Sequence, residues 1–412
     1  MLSDYIINIR SQEQLRHGIA GAYLDGFTDW LAGRGYGCAT IRTYLWAAAR
    51  FATWAQANHR IVPSALDQAS LVDYRAMVNR QAKRRGKSLR DPGNAYCGAR
   101  TFVRFLREQG HTAGERDDTS VLVQRFRLWM KQHRGAGQLT LTAYVRVLNK
   151  LIAALGGDSR HYTAAQLRAF VLLDARGFSH SKAQNTVSAV RMFVRFLIVH
   201  QECPDCLRYA IPPLAGWRQA SLPRYVDAAT VARIIDASDP STVLGARDRA
   251  VLLLLSRLAL RAGDVAGLRL DDIDWVQGRL SVAGKNRRQT WLPMPQDVGD
   301  AILHYLHTAR PAVVSDGVFL ITRAPYTAIM ARQVSSTAER GIRRAGVNSP
   351  SLGAHVFRHS AATQWLREGL SLQAIGTLLR HCDVDTTAIY AKVDVNLLRQ
   401  IALPWPEENT PC

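Results

Sequence analysis

The chain has 412 residues, 47% of them hydrophobic, and carries 53 lysines and arginines against 33 acidic residues, a formal net charge of +20. This length has room for two or three domains, each with its own core. A membrane span is excluded because no run of about 18 uncharged apolar residues occurs, and six scattered cysteines exclude a disulfide scaffold and point to a reducing cytoplasm.

The charge is uneven. Residues 1–220 hold 31 lysines and arginines against 15 acidic residues, and residues 221–412 hold 22 against 18. A field of this sign attracts a polyanion and speeds its capture, so nucleic acid is the expected partner. An anionic membrane surface is the competing partner, but no basic amphipathic anchor or lipidation motif supports it. The N-terminal stretch MLSDYIINIRSQEQLRHG lacks the charged-then-apolar order of a secretory signal, in keeping with a cytoplasmic location.

Along the chain, the first half repeats itself. FTDWLAGRGYGCATIRTY (27–44) aligns with FRLWMKQHRGAGQLTLTAY (126–144), pairing Phe27 with Phe126, Trp30 with Trp129 and Tyr44 with Tyr144. TFVRFLREQG (101–110) aligns with MFVRFLIVHQ (192–201). Apolar residues in both copies recur at steps of three and four, the helical period. Two similar helical bundles are expected, roughly 15–112 and 118–205, joined by the polar stretch 110–118. A repeat of this length is a duplicated domain rather than a solenoid. The run RQAKRRGKSLR (80–90) holds six basic residues, among them Lys83, Arg84, Arg85 and Lys87. It reads either as a solvated loop or as a contact to phosphates.

Cys203 and Cys206 form a CxxC with His200 three residues before it. Zinc would want a fourth ligand, and no second CxxC exists, so two ordinary thiols at a helix end are expected. Prolines 212, 213 and 223 break helix in 211–226, a second joint. Beyond it, DAATVARIIDAS opens on an aspartate suited to cap a helix, and STVLGARDRAVLLLLSRLAL is a long helix. Residues 272–294 alternate and turn at Gln277-Gly278 and at 284–288, the pattern of a small antiparallel sheet. Helices dominate again from Pro295. The expected fold is mainly α with one small antiparallel β-sheet in the C-terminal half.

Polar residues punctuate this half in a defined order. Arg261 stands where the apolar helix stops, and Lys285 sits at a strand turn with Arg287 and Arg288 beside it. His355 and Arg358 lie three apart, on one face of a helical turn. His381 follows, and Tyr390 comes nine residues later. Singly, each has an ordinary reading: a solvated cap, a solvent-exposed lysine, a tyrosine buried for packing. As an ordered set (Arg261, Lys285, His355-x-x-Arg358, His381, Tyr390) they resemble the tyrosine recombinase (integrase) family of the Xer and phage-integrase type. The resemblance covers about 221–412 well and 118–205 more loosely.

The resemblance implies a C-terminal catalytic domain of the DNA breaking-rejoining type over 227–412. It also implies a helical core-binding domain at 118–210, with 211–226 as linker. The bundle at 1–112 resembles that core-binding domain and is an addition to the minimal plan, so both bundles are expected to bind DNA. The implied activity is site-specific cutting and rejoining of duplex DNA through a covalent 3′-phosphotyrosine, in the service of a mobile element. The implied catalytic residues are Arg261, Lys285, His355, Arg358, His381 and Tyr390. Other readings of the same set are a type IB topoisomerase-like relaxase and a catalytically silent DNA-binding protein.

Chemistry explains why such a reaction wants these groups. Attack on a phosphodiester builds negative charge on its non-bridging oxygens, and two guanidinium forks, Arg261 and Arg358, can clamp them. A free phenol has a pKa near 10, so only about one in a thousand is ionised at pH 7 and Tyr390 needs help. His355 is placed as base or orienter and Lys285 as the acid for the leaving 5′-oxygen. His381 could bond the phosphate or position the tyrosine. Phosphotyrosine formation conserves the bond energy, so no cofactor or ATP is expected. No paired acidic cluster suggests a metal, and the arginines supply that charge.

Two positions depart from the family pattern: Asp264 where glutamate is usual and Arg380 where glycine is usual. Asp264 keeps a carboxylate able to orient Arg261, and Arg380 either adds a phosphate contact or is solvated. After Tyr390, Leu397, Leu398, Ile401 and Leu403 line a short helix ended by Pro404. In the resembling family this helix passes to a neighbour in a ring of four on two duplexes, which implies a tetramer of like or partner recombinases.

Overall fold

The structure is a computed structural model, which describes residues 1–60, 62–84, 93–112, 120–176, 179–214, 222–283, 289–381 and 386–393. Two compact units emerge from its contacts: Met1–Thr112 together with Gln219–Cys412, and Ala113–Arg218. The architecture is mainly helical with one three-stranded antiparallel sheet.

The first bundle consists of α1 (Ile9–Arg16), α2 (Leu24–Ala32), α3 (Cys38–Ala57), α4 (Gln68–Arg84) and α5 (Gly93–Glu108). The second, in its own unit, consists of α6 (Val121–Arg134), α7 (Gln138–Leu155), α8 (Ala164–Ala175) and α9 (His180–Val199). Their cores repeat one arrangement of rings. Phe27 meets Phe102 edge-on at 5.1 Å and Phe105 at 5.4 Å, and Trp30 meets Phe105 at 5.9 Å. In the second bundle Phe126 meets Phe193 edge-on at 5.5 Å and Phe196 at 5.7 Å, and Trp129 meets Phe196 at 5.8 Å. Edge-to-face and tilted packing of this kind adds to plain burial. The aligned motifs FVRFL therefore occupy the same place in two cores.

The C-terminal half begins with α10 (Ala228–Asp236), where the Asp227 side chain accepts a hydrogen bond from the Thr230 N–H at 2.7 Å. Next come α11 (Val243–Arg257) and the short α12 (Ala262–Ala266). Residues 250–255 of α11 are all 3% exposed or less, so this stretch is buried on every side and forms the spine of the core. Two charges are buried on the helix, Arg247 and Asp248, and they pair with each other. Asp248, 1% exposed, accepts a paired hydrogen bond from Arg340 and another from Thr337. That pairing ties α11 to α14 (Ala331–Arg344), with α13 (Gln296–Thr308) between them in sequence.

Strands β1 (Ile273–Asp274), β2 (Arg279–Ala283) and β3 (Gln289–Pro293) pair in that order. Gly278, at φ +58°, makes the turn into β2, and Leu280 pairs with Leu292 across the sheet. The register of β2 with β3 reaches Ala283↔Gln289. The expected second turn, 284–288, falls outside the described residues, and Lys285, Arg287 and Arg288 with it. The chain then returns through α15 (His355–Arg367), α16 (Leu372–Leu378) and a 3-10 segment, Ala388–Val393. Among the described residues no helix is long and apolar enough to cross a membrane.

The repeated ring cluster makes a stability prediction. Phe126→Ala should lower the unfolding free energy of its bundle by about 3–5 kcal/mol. Leu128→Ala, on the exposed side of the same helix, should change it by less than about 0.5 kcal/mol. Urea unfolding followed by tryptophan fluorescence reads both, and equal effects would contradict this assignment of the core.

Candidate active site

Three chain segments from distant parts of the sequence meet at one buried guanidinium. Helix α11 stops at Arg257, and Ala259 then takes the left-handed conformation, φ +48°. That turn aims its carbonyl inward and sends the chain into Arg261, the residue that opens α12. Helix α16 stops in the same way: Arg380 is left-handed at φ +54°, just after Leu379. Arg358, one turn into α15 and 6% exposed, donates to the Ala259 carbonyl at 2.5 Å and to the Leu379 carbonyl. The other residues assemble around this pin.

Arg261 donates from Nη2 to the carbonyl of Arg380 at 3.2 Å, and its backbone N–H donates to Asp264 Oδ2 at 3.1 Å. The same Asp264 oxygen accepts from Arg380 Nη2 at 2.5 Å, in an ion pair whose side chains are 8% and 10% exposed. His381 Nδ1 is 2.8 Å from the buried Thr387 hydroxyl. Tyr390, 1% exposed, packs with Ala259, Ala362, Ile375 and Leu379, and its hydroxyl lies 3.0 Å from His359 Nδ1.

The electrostatics follow from burial among like charges. Arg358 is pulled down to about 10, by burial first and then by Arg261, with Arg380 adding to the effect, and it stays charged at neutral pH. His381 is pulled down to about 4 by burial and by Arg358 and Arg261. His359 is also lowered, by burial and then by His355 and Arg358, so both rings are neutral at pH 7. Burial pushes the Tyr390 phenol up to about 12, against the pull of Arg358. The phenol therefore keeps its proton here, within hydrogen-bond distance of a neutral imidazole. Three guanidiniums thus gather, and among the described residues their nearby carboxylate, Asp264, pairs with Arg380. Such an excess of fixed positive charge suits an anion with several oxygens.

Of the residues expected from the sequence, the structure brings together Arg261, Arg358, His381 and Tyr390. His355 stands exposed at the first position of α15 and acts on the cluster electrostatically through His359. Lys285, Arg287, Arg288, Arg85 and Lys87 lie outside the described residues, as does the strip 397–403. Lys83 and Arg84 end α4, where only the backbone is described.

Three expectations change. Arg380 is not solvated: its side chain is 8% exposed. Asp264 orients Arg261 through the main-chain N–H, while its ion pair goes to Arg380. The phenol is met by His359 rather than His355. HVFRH holds His359 four residues after His355 and so on the same helical face, a signal the pattern of ordered residues does not include. For Tyr390 the packing holds, since an apolar pocket encloses the ring, and its hydroxyl meets a histidine. At the CxxC, burial pushes the Cys203 thiol up to about 11, so it stays protonated. Among the described residues no group of three His, Cys, Asp or Glu is placed to hold a metal ion.

Residues 224–396 match the model of the phage integrase family. Protein y4rA of Sinorhizobium fredii (strain NBRC 101917 / NGR234), whose name describes a candidate integrase/recombinase, is 35% identical over 403 residues, 95% of this chain and 96% of that protein. The chain belongs to the tyrosine recombinase family. Tyrosine recombinase XerD of Vibrio vulnificus (strain YJ016) is 30% identical over 66% of this recombinase and 90% of XerD. The fold is also similar to that of XerH site-specific recombinase, solved in a post-cleavage complex with a palindromic difH substrate. There the TM-score is 0.53 at 16% identity, over 80% of this chain and 94% of XerH.

The two lowered histidines predict how the recombinase responds to acid. Below about pH 6.5 the unfolded chain takes up protons at positions 359 and 381 that the folded chain refuses, at 381 until about pH 4. Folding stability should therefore fall as the pH drops through this window. His381→Gln should flatten the fall in melting temperature between pH 6.5 and pH 4. An unchanged slope would show that His381 is not held neutral.

Proposed function

We propose that this recombinase cuts and rejoins duplex DNA at specific sites through a 3′-phosphotyrosine on Tyr390. The observation that carries the reading is the Tyr390 hydroxyl on His359, with Arg358 close enough to pull on the phenol. In the proposed step Tyr390 Oη attacks phosphorus and the bond to the 5′-oxygen breaks. The phenolic proton passes to His359 Nδ1, and a proton reaches the leaving 5′-oxygen from Lys285. Arg261 and Arg358 hold the non-bridging oxygens, and His381 Nε2, opposite the nitrogen fixed by Thr387, donates to one of them. His355, exposed at the start of α15, adds to the burial that keeps His359 neutral.

The high phenol pKa supports a base in this scheme. Phosphate bound to Arg358 offsets the cation that favours phenolate, so ionisation before attack becomes harder. The basic bundles at 1–112 and 118–210 would grip the duplex on either side of the cut, with contacts that position rather than read it. Lys83, Arg84, Arg85, Lys87, Arg287 and Arg288 are assigned to phosphates. The added N-terminal bundle supports service to a mobile element. The apolar strip 397–403 supports assembly into a tetramer of like or partner recombinases. Formation of a covalent intermediate separates this reading from that of a silent DNA-binding protein, and strand exchange between two sites separates it from a relaxase.

The test uses nicked duplexes carrying DNA from the flanks of the protein's own gene, run on a denaturing gel. The parent protein should form an adduct and Tyr390→Phe none. His359→Gln should form it about 10²–10⁴-fold more slowly at neutral pH, with a rate that climbs as rising pH ionises the phenol unaided. A His359→Gln profile parallel to the parent's would place the base elsewhere.

A further inference from the structure

Arg380 remains unexplained by the reaction as assigned. Its position is left-handed, φ +54°, a conformation that favours glycine, and glycine is what the family resemblance leads one to expect there. This chain instead carries its largest cationic side chain at that point and buries it. Arg380 is 8% exposed, and only Nη2 is satisfied, by Asp264. Nε and Nη1 are buried and have no hydrogen-bond partner among the described residues. Buried guanidinium N–H groups left unbonded are costly, so such groups mark a place where a ligand's acceptors belong.

The neighbours identify that ligand. Arg380's own carbonyl receives Arg261 Nη2, and its charge acts on Arg358, so its guanidinium belongs to the same cluster as those of Arg261 and Arg358. Asp264 is one residue type shorter than the glutamate of the family pattern. It spends its ion pair on Arg380 and only a main-chain bond on Arg261. The two departures, 116 positions apart, are thus halves of one device: the short carboxylate makes room for the extra guanidinium and fixes its orientation.

We propose that Arg380 is a third phosphate-clamping residue, its unbonded Nη1 donating to a non-bridging oxygen of the scissile phosphodiester. With Nη2 held by Asp264, the rigid guanidinium aims Nη1 in a fixed direction, as a charged donor suited to a phosphate oxygen. The inference rests on the cleavage reading above and adds a contact to it. It places more charge on the phosphate than two arginines supply, which suits a site whose phenol is pushed up by burial.

The test compares adduct formation on two nicked duplexes, one with the natural scissile phosphate and one with a neutral methylphosphonate there, for the parent, Arg380→Ala and Arg380→Lys. Removing a charged donor that acts in the transition state costs about 10²–10³-fold. Arg380→Ala should lose about that factor on the phosphodiester and much less on the methylphosphonate, whose charge no longer needs a partner. Arg380→Lys should fall between, keeping the charge but losing the donor that Asp264 holds in a fixed direction. Because each variant is its own control across the two substrates, partial misfolding cancels from the ratio. Equal losses on both substrates would make Arg380 a mere brace for Asp264 and overturn the proposal, as would no loss on either. If the parent forms no Tyr390 adduct on the phosphodiester, the cleavage reading falls and this inference with it. If the parent reacts and the ratio does not move, only this inference falls.

Discussion

The site depends on one interaction: the Arg358 guanidinium held between the carbonyls of Ala259 and Leu379. Burying an unpaired cation costs several kcal/mol, and hydrogen bonds to a charged donor return about 1.5–3 kcal/mol each. The guanidinium therefore stays buried only while both carbonyls face it. Those carbonyls belong to the turns that immediately precede Arg261 and Arg380. Fixing Arg358 consequently fixes the main chain from which the other clamping groups project. The left-handed conformations of Ala259 and Arg380 are the local strain of that arrangement, located where functional sites commonly store it.

Around this pin, the phenol is kept in reserve. Tyr390 is enclosed by alkyl groups and holds its proton, with a neutral histidine at its hydroxyl and cations nearby. A phenol in this state is a poor nucleophile on its own. In the proposed reaction it gains reactivity when a phosphodiester occupies the guanidiniums and its proton passes to His359. Burial makes Tyr390 a core residue without removing its hydroxyl from polar contact, so packing does not argue against the proposed role.

Much of this was legible in the chain because it is written in periodicity and order. The duplicated bundle showed in the spacing of Phe27, Trp30 and Phe102 against Phe126, Trp129 and Phe193, since helical cores repeat their contacts when their spacing repeats. The cap at Asp227 and the turn at Gly278 are local chemistry and were read locally. The set of Arg261, Arg358, His381 and Tyr390 stood out through order along the chain. Hidden were the features that arise only when distant turns meet. Nothing local to Asp264 shows that its ion partner is Arg380, because the pairing needs two left-handed turns to bring the segments together. His359 was overshadowed by the neighbouring His355-x-x-Arg358 pattern, although helical geometry alone puts it on the same face.

The most direct measurement is peptide mapping by mass spectrometry of the protein trapped on a nicked duplex and then treated with nuclease. This account predicts a nucleotide phosphate on the peptide containing Tyr390, bonded to that residue's oxygen. Phosphate on any other residue, or no modified peptide despite specific cleavage of the duplex, would contradict it.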